Sequence, residues 1–377
     1  MILIVPSLDP GMHGGIERVS RQVLTILQGG AGSAARDLVL VSNDKKCFTG
    51  DGLSHVQETG DGRGRMTSIT PFKFYRCRYL AMILHALWMP LGGLEGPILC
   101  VHAGLSPIAR ILAWRLRMPY AVFLHGIEVW RSLPSRTHWG LSGASLLIAN
   151  SRFTLSKFRE WHSDFADKPA EVAHLGLSDA FESLEERKPA NFSESGRFVL
   201  SVGRLSLEDD YKGHRTLIEA ILELRRKCPD VFLVLAGGGN AAEFLSRFAA
   251  GQSDPRAVIF MGQVSDAELL WLYRRCTVFA MLSEGEGFGL VHLEAMAQAK
   301  PCVGTHADAA AELIEDRVTG RLVPPADAPA VAAALREMLE DPVALRTMGE
   351  RARQRVLERF LHRHFAERLQ NALALLA

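Results

Sequence analysis

The sequence has little net charge, no paired cysteines and no apolar run of membrane-spanning length. Its longest uncharged stretch, residues 79–94, falls short of the ~20 residues that cross a bilayer and contains Pro90, Gly92 and Gly93, so a transmembrane helix is rejected. Lys and Arg number 43 against 42 Asp and Glu, a formal balance of +1 that offers no global field to nucleic acid. Cys47, Cys77, Cys100, Cys228, Cys276 and Cys302 form no CxxC pair, which argues against a zinc ribbon or a disulfide framework and points to a reducing cytoplasm. HExxH and GxGxxG are also absent, and the opening MILIVP has no basic n-region, so it reads as a buried strand rather than a signal peptide.

What is present is an ordinary globular composition, 48% hydrophobic and 23% charged, in a chain of 377 residues. That length exceeds what one core usually supports, so two domains with a cleft between them are expected. Short apolar runs at residues 2–5, 37–42, 97–101, 120–124 and 145–150 alternate with helical periods at 15–27, 106–117 and 152–161. A second set follows at 198–202, 231–236, 257–260, 277–281 and 301–304. Such alternation predicts parallel α/β layering in both halves. The polar stretch at 183–196 suggests a boundary, giving an N-terminal domain over 1–188, a C-terminal domain over 189–355 and a final helix over 356–377 that packs back.

The chemistry concentrates in residues 283–297, SEGEGFGLVHLEAMA, where a strand is followed by a glycine-led helix start. Such a start presents unpaired amides and a positive dipole end, which suits phosphate. Glu286 precedes this helix and Glu294 lies inside it, embedded among apolar residues where an unpaired carboxylate would be costly. As isolated residues both would read as solvated charges. In FVLSVGRLSLEDDYKG, at 198–213, a strand ends in Gly203-Arg204 and Lys212-Gly213 opens the next helix. Two cations at a sheet rim can neutralise a diphosphate and the charge that grows on it as a bond to it breaks.

These segments resemble the E-x7-E and GR…KG signatures of family 4 of the GT-B glycosyltransferases, and the likeness runs over most of the chain. The resemblance implies an α/β GT-B fold of two Rossmann-like, doubly wound parallel-sheet domains facing a cleft. It also implies an N-terminal acceptor domain, a C-terminal donor domain and retaining transfer. By position, Glu294 would hold ribose and Glu286 the donor hexose, while Phe288, Gly289 and Leu290 would offer backbone amides. Arg204 and Lys212, beside Gly203, would clamp the diphosphate. Gly14-Gly15, after the first strand, would approach phosphate, and His125 of HGIE, with Glu128 following, would contact the sugar.

His102 and His292 read as packing residues, and Gly237-Gly238-Gly239 as a βα turn near the nucleotide. Asp209-Asp210 is not the DxD that presents a metal in the other major glycosyltransferase fold, so metal-independent transfer is expected. One departure stands out: the family often has a glycine pair before the glutamate matching Glu312, whereas this chain has Ala309-Ala310-Ala311. The segment 63–91 interleaves basic and aromatic residues and suggests an amphipathic helix lying on an anionic membrane.

The expected protein is thus a cytoplasmic transferase able to sit peripherally at the inner face of the plasma membrane. It would move a mannose- or glucose-type hexose from a GDP- or UDP-linked donor to a carbohydrate or lipid-linked acceptor, without metal, cofactor or nucleic acid. A nucleotide-sugar epimerase and a non-catalytic sugar-nucleotide-binding subunit remain open alternatives.

Overall fold

A computed structural model describes residues 1–6, 15–29, 38–42, 54–58, 65–69, 96–178, 184–193, 195–207, 212–250, 254 and 256–376. The chain forms two compact units, one of Met1–Leu175 with Phe365–Ala377 and one of Gly176–His364.

In the first unit the strands are β1 (Ile2–Val5), β2 (Leu38–Ser42), β3 (Ser54–Glu58), β4 (Arg65–Ile69), β5 (Ile98–Cys100), β6 (Tyr120–Leu124), β7 (Leu146–Ala149) and β8 (Ala170–Val172). They lie in the order β3-β4-β2-β1-β5-β6-β7-β8. Strand β1 pairs in parallel with both β2 and β5, so the winding reverses there. Its four side chains are fully buried, as expected of a strand covered on both faces. The helices are α1 (Gly15–Gly29), α2 (Ser106–Leu116), α3 (Ser135–Ser142) and α4 (Arg152–Trp161). Ser151 caps α4 by accepting the Thr154 N–H at 2.9 Å, which satisfies one of the amides a helix start leaves over.

Two strands depart from the sequence expectation. The pair β3 and β4 is antiparallel, so this sheet is mixed rather than wholly parallel. Polar SHVQE suits a sheet edge and carries no apolar run to announce it. In the segment expected to form an amphipathic helix, Arg65–Ile69 is a strand paired in parallel with β2. Thr67 and Ile69 favour the extended backbone, and β2 supplies the ladder partners. The rest of 63–91 lies outside the described residues.

The second unit contains β9 (Arg197–Val202), β10 (Val231–Ala236), β11 (Val258–Gly262), β12 (Val278–Ala280), β13 (Cys302–Thr305) and β14 (Gly320–Val323), all paired in parallel in the order β11-β10-β9-β12-β13-β14. The winding reverses between β9 and β12. The helices are α5 (His214–Arg225), α6 (Ala242–Ala250), α7 (Asp266–Arg275), α8 (Leu290–Ala297), α9 (Ala310–Leu313), α10 (Ala328–Glu340) and α11 (Pro342–Arg359). A capping box between Ser265 and Glu268 starts α7. Leu217, Ile221, Leu233, Leu235, Val331 and Leu335 form one face of the core.

The final helix, α12 (His362–Ala374), sets Phe365 edge-on to Phe123 of the first unit at 6.2 Å, and Arg368 donates to the His174 carbonyl at 3.3 Å. The divisions fall at 175/176 and 364/365, against 188/189 and 355/356 expected from sequence. Residues around 184–193 pack on the second unit. Glu186 pairs with Arg274 and Arg275 at 3.4 and 3.0 Å, and Phe192, 5% exposed, meets Phe198, Phe232 and Trp271.

Phe192→Ala should therefore destabilise the second unit by about 3–5 kcal/mol, the usual result of truncating a buried phenylalanine. Urea unfolding followed by tryptophan fluorescence measures this, and a change below ~1 kcal/mol would take Phe192 out of the second unit's core.

Candidate functional site

Open parallel sheets bind ligands outside the carboxyl ends of their strands, where the winding reverses. In the second unit that place is the end of β9 beside the end of β12. Beyond β9, the Gly203 N–H donates to the Ala236 carbonyl at 3.0 Å, extending the ladder. Gly237, at φ +143°, comes so close that a Cβ there would lie 1.9 Å from the Gly203 carbonyl oxygen. Arg204 follows on the exposed surface. Lys212 returns over Gly203, with its Nζ 3.6 Å from where a Cβ on Gly203 would sit. Gly213 is left-handed at φ +68° and starts α5 with no side-chain cap; a Cβ there would lie 2.4 Å from the Leu282 carbonyl oxygen. The start of α5 is thus seated on the segment that leaves β12.

That segment is fixed from within. Ser283 is buried, its Oγ accepts the Gly285 N–H at 3.2 Å, and its carbonyl accepts from the Thr305 hydroxyl. The Glu286 carbonyl accepts the Ala309 N–H at 3.3 Å. Gly289, at φ +87°, caps α8 without a side chain, so no side chain at the cap satisfies the first helix amides. The Glu286 Cγ lies 3.6 Å from where a Gly289 Cβ would be, which brings this carboxylate's stem to the helix start. Phe288 is 2% exposed and edge-on to Phe360, while Leu290 is partly exposed.

Glu294 is 3% exposed, and its Oε2 accepts the Tyr273 hydroxyl at 2.8 Å. Tyr273, on α7, is a site residue that sequence reasoning missed. Its place among Leu269, Leu270 and Leu272 reads as core, and only the fold shows that its phenol meets a buried carboxylate. His292 is fully buried and packs edge-on against Phe279 at 5.2 Å; burial pushes its pKa down to about 4, as a packing role requires. The alanine departure is accommodated. Ala309 starts α9 in the right-handed region, at φ −67°, where no glycine is needed. Arg355 of α11 donates to the Leu313 and Glu312 carbonyls at 2.7 and 3.1 Å, holding that helix end.

In the first unit a second group gathers beside the reversal at β1 and β5. His125, just beyond β6, donates from Nε2 to the Val101 carbonyl at 2.6 Å, leaving Nδ1 as an acceptor. Burial pushes its pKa to about 4, so it is neutral near pH 7. Its amide donates to the Glu128 Oε1 at 2.6 Å, and its carbonyl accepts from Asn150 Nδ2 at 2.7 Å. Burial raises the Glu128 carboxyl, opposed by that amide and by His102. Burial also lowers His102, whose Nδ1 accepts the Gly104 N–H at 3.0 Å. Glu17, in the first turn of α1, acts electrostatically on both histidines. Gly15 opens α1 and is exposed, and Gly14 lies outside the described residues.

Residues 182–355 match the family described as "Glycosyl transferases group 1". A GDP-mannose-dependent alpha-(1-6)-phosphatidylinositol monomannoside mannosyltransferase of Mycolicibacterium smegmatis is 34% identical over 285 residues, covering 72% of this chain and 73% of that protein. Glycogen synthase of Mycobacterium tuberculosis is 36% identical over 162 residues, but the match spans only 43% of this chain and 38% of the synthase. Among solved structures, sucrose-phosphate synthase of Thermosynechococcus elongatus superposes with a TM-score of 0.75 at 22% identity, over 100% of this chain and 98% of that one. The shared architecture is the GT-B fold. With more than two thirds of the mycolicibacterial mannosyltransferase matched at 34% identity, the chain belongs to the group 1 glycosyl transferases, GT-B transferases of the family 4 type.

Proposed function

We propose that this chain is a retaining hexosyltransferase that binds a nucleoside diphosphate sugar on its second unit and passes the hexose to a carbohydrate or lipid-linked acceptor. The observation that carries this reading is the position of Lys212 over Gly203 where the sheet winding reverses, with the glycine-led start of α8 following the neighbouring strand β12. A diphosphate at that place meets a cation and a helix start together. The similarity to a GDP-mannose-dependent enzyme over most of its length favours a mannosyl donor within the wider mannose or glucose class.

In this reading the bond between the anomeric carbon and the diphosphate oxygen breaks, and its electron pair leaves with the diphosphate. Lys212 and Arg204 stabilise that growing charge more in the transition state than in the bound donor, which is what lowers the barrier. The acceptor hydroxyl bonds the same face of the sugar and its proton passes to the departing diphosphate. Glu294, held by Tyr273, grips the ribose hydroxyls, and Glu286 orients the hexose. The main chain of Phe288, Gly289 and Leu290 lines the phosphate and sugar. His125, neutral and with Nδ1 unprotonated, suits acceptance of a hydrogen bond from a sugar hydroxyl and not proton donation. The charge work falls to side chains and amides, so no metal is required. A lipid-linked acceptor would bring the chain to a membrane surface; among the described residues no helix is long and apolar enough to cross one.

Lys212→Ala should lower kcat by about tenfold to a thousandfold with GDP-mannose as donor, in line with losing one charge-stabilising group, and full turnover would remove it from the clamp. Glu294→Ala should weaken GDP binding in calorimetry by about tenfold to a hundredfold, the loss of a charged hydrogen bond; unchanged affinity would take it out of the ribose site. Dialysis against excess EDTA should leave turnover intact, and a loss that magnesium restores would overturn the metal-free reading.

A further inference from the structure

Asp308 lies between β13 and α9 and is 2% exposed. Its segment is stitched to the Glu286 loop on either side: the Thr305 hydroxyl reaches the Ser283 carbonyl, and the Ala309 amide reaches the Glu286 carbonyl at 3.3 Å. The Asp308 Oδ1 accepts the Ala310 N–H at 2.8 Å. Its Oδ2 is buried with no hydrogen-bond partner among the described residues. The Glu286 amide and the Ser283 hydroxyl come near enough to favour its charge, yet neither completes a bond to Oδ2.

The groups around it do not offset a negative charge. Glu286 on the facing loop opposes it, and His292 on α8 is buried and neutral. His306 and Glu312 on its own segment are exposed and half-buried, and Arg355 is engaged with the carbonyls at the far end of α9. A carboxylate buried beside another, with one oxygen unpartnered, is less stable than the carboxylic acid. Burial first, and Glu286 as the lesser opposing charge, push the Asp308 pKa up to about 8.

We propose that Asp308 is a positioning residue that works as a neutral acid: its carboxyl holds the start of α9 through the Ala310 amide where that segment is bound to the Glu286 loop, and losing the proton sets an unpartnered buried charge against Glu286, which loosens that loop and weakens binding of an anionic nucleotide. The binding half of this inference rests on the nucleotide-sugar reading of the second unit; the protonation half does not.

The test has two arms, with UDP and GDP as probes. Without ligand, an unfolded Asp ionises near pH 3.8 while the folded Asp308 stays neutral until about pH 8. Its contribution to stability is therefore complete below pH 3.8 and is lost progressively as pH rises to about 8. Asp308→Asn cannot ionise, so it should melt several degrees higher than the parent at pH 8 and within a degree of it at pH 4. An equal difference at both pH values would overturn the neutral acid.

In calorimetry, parent affinity should fall by up to about tenfold per pH unit above pH 8, while Asp308→Asn holds its neutral-pH value. An alkaline decline that persists in Asp308→Asn would overturn the proposal. Asp308→Ala, which removes the bond from the Ala310 amide, should bind about tenfold more weakly at every pH, in proportion to one lost buried hydrogen bond; parent-like binding would refute the positioning role. Failure of both nucleotides to bind the parent at any pH would sink the nucleotide-sugar reading and the loosening step with it, leaving the melting arm alone to decide Asp308's protonation.

Discussion

The seat of Gly213 on the Leu282 carbonyl constrains the rest of the second unit's site. A Cβ at Gly213 would stand 2.4 Å from that oxygen, and the left-handed φ of +68° turns the chain from Lys212 into α5. Because the turn is fixed, the Lys212 side chain comes back over Gly203 instead of spreading into solvent. Gly237 performs the matching task across the sheet, where its α-carbon packs on the Gly203 carbonyl. Backbones this close can be glycine alone, and their closeness gathers three strand ends into one rim.

Charge is distributed around that rim in a consistent way. Arg204 stands on the exposed surface and Lys212 is half-buried. The acids are handled differently. Glu294 is buried against the Tyr273 hydroxyl, and Asp308 is buried with its proton retained. In the first unit, burial likewise keeps His125 neutral and raises Glu128. Burial thus favours the uncharged form of Asp308, His125 and Glu128, while Glu294 is met by a neutral donor.

Legibility from sequence followed burial on both faces. Strands such as β1, β6 and β10 are fully covered, and their apolar runs were plain. Strand β3 was not legible, because SHVQE at a sheet edge needs only backbone pairing, and β14 is a short GRLV without a distinctive run. The polar stretch before β9 reads from sequence as a domain boundary because Phe192 is one apolar residue among charges; its aromatic neighbours come from β9, β10 and α7, far along the chain.

By itself the sequence determined the α/β layering, the glycine-led start of α8 and the residue types able to meet a diphosphate, since periodicity, glycine placement and charge are local properties. The family signature placed Glu286, Glu294, Arg204 and Lys212 in one set without showing how they are held. Only the tertiary structure decided that Tyr273 partners Glu294, that Asp308 is buried beside Glu286, and that the alanines before Glu312 need no left-handed turn. The reason is physical: protonation, desolvation and hydrogen-bond partnership depend on which distant segments come within a few ångströms, and that is set by packing rather than by neighbours in the chain.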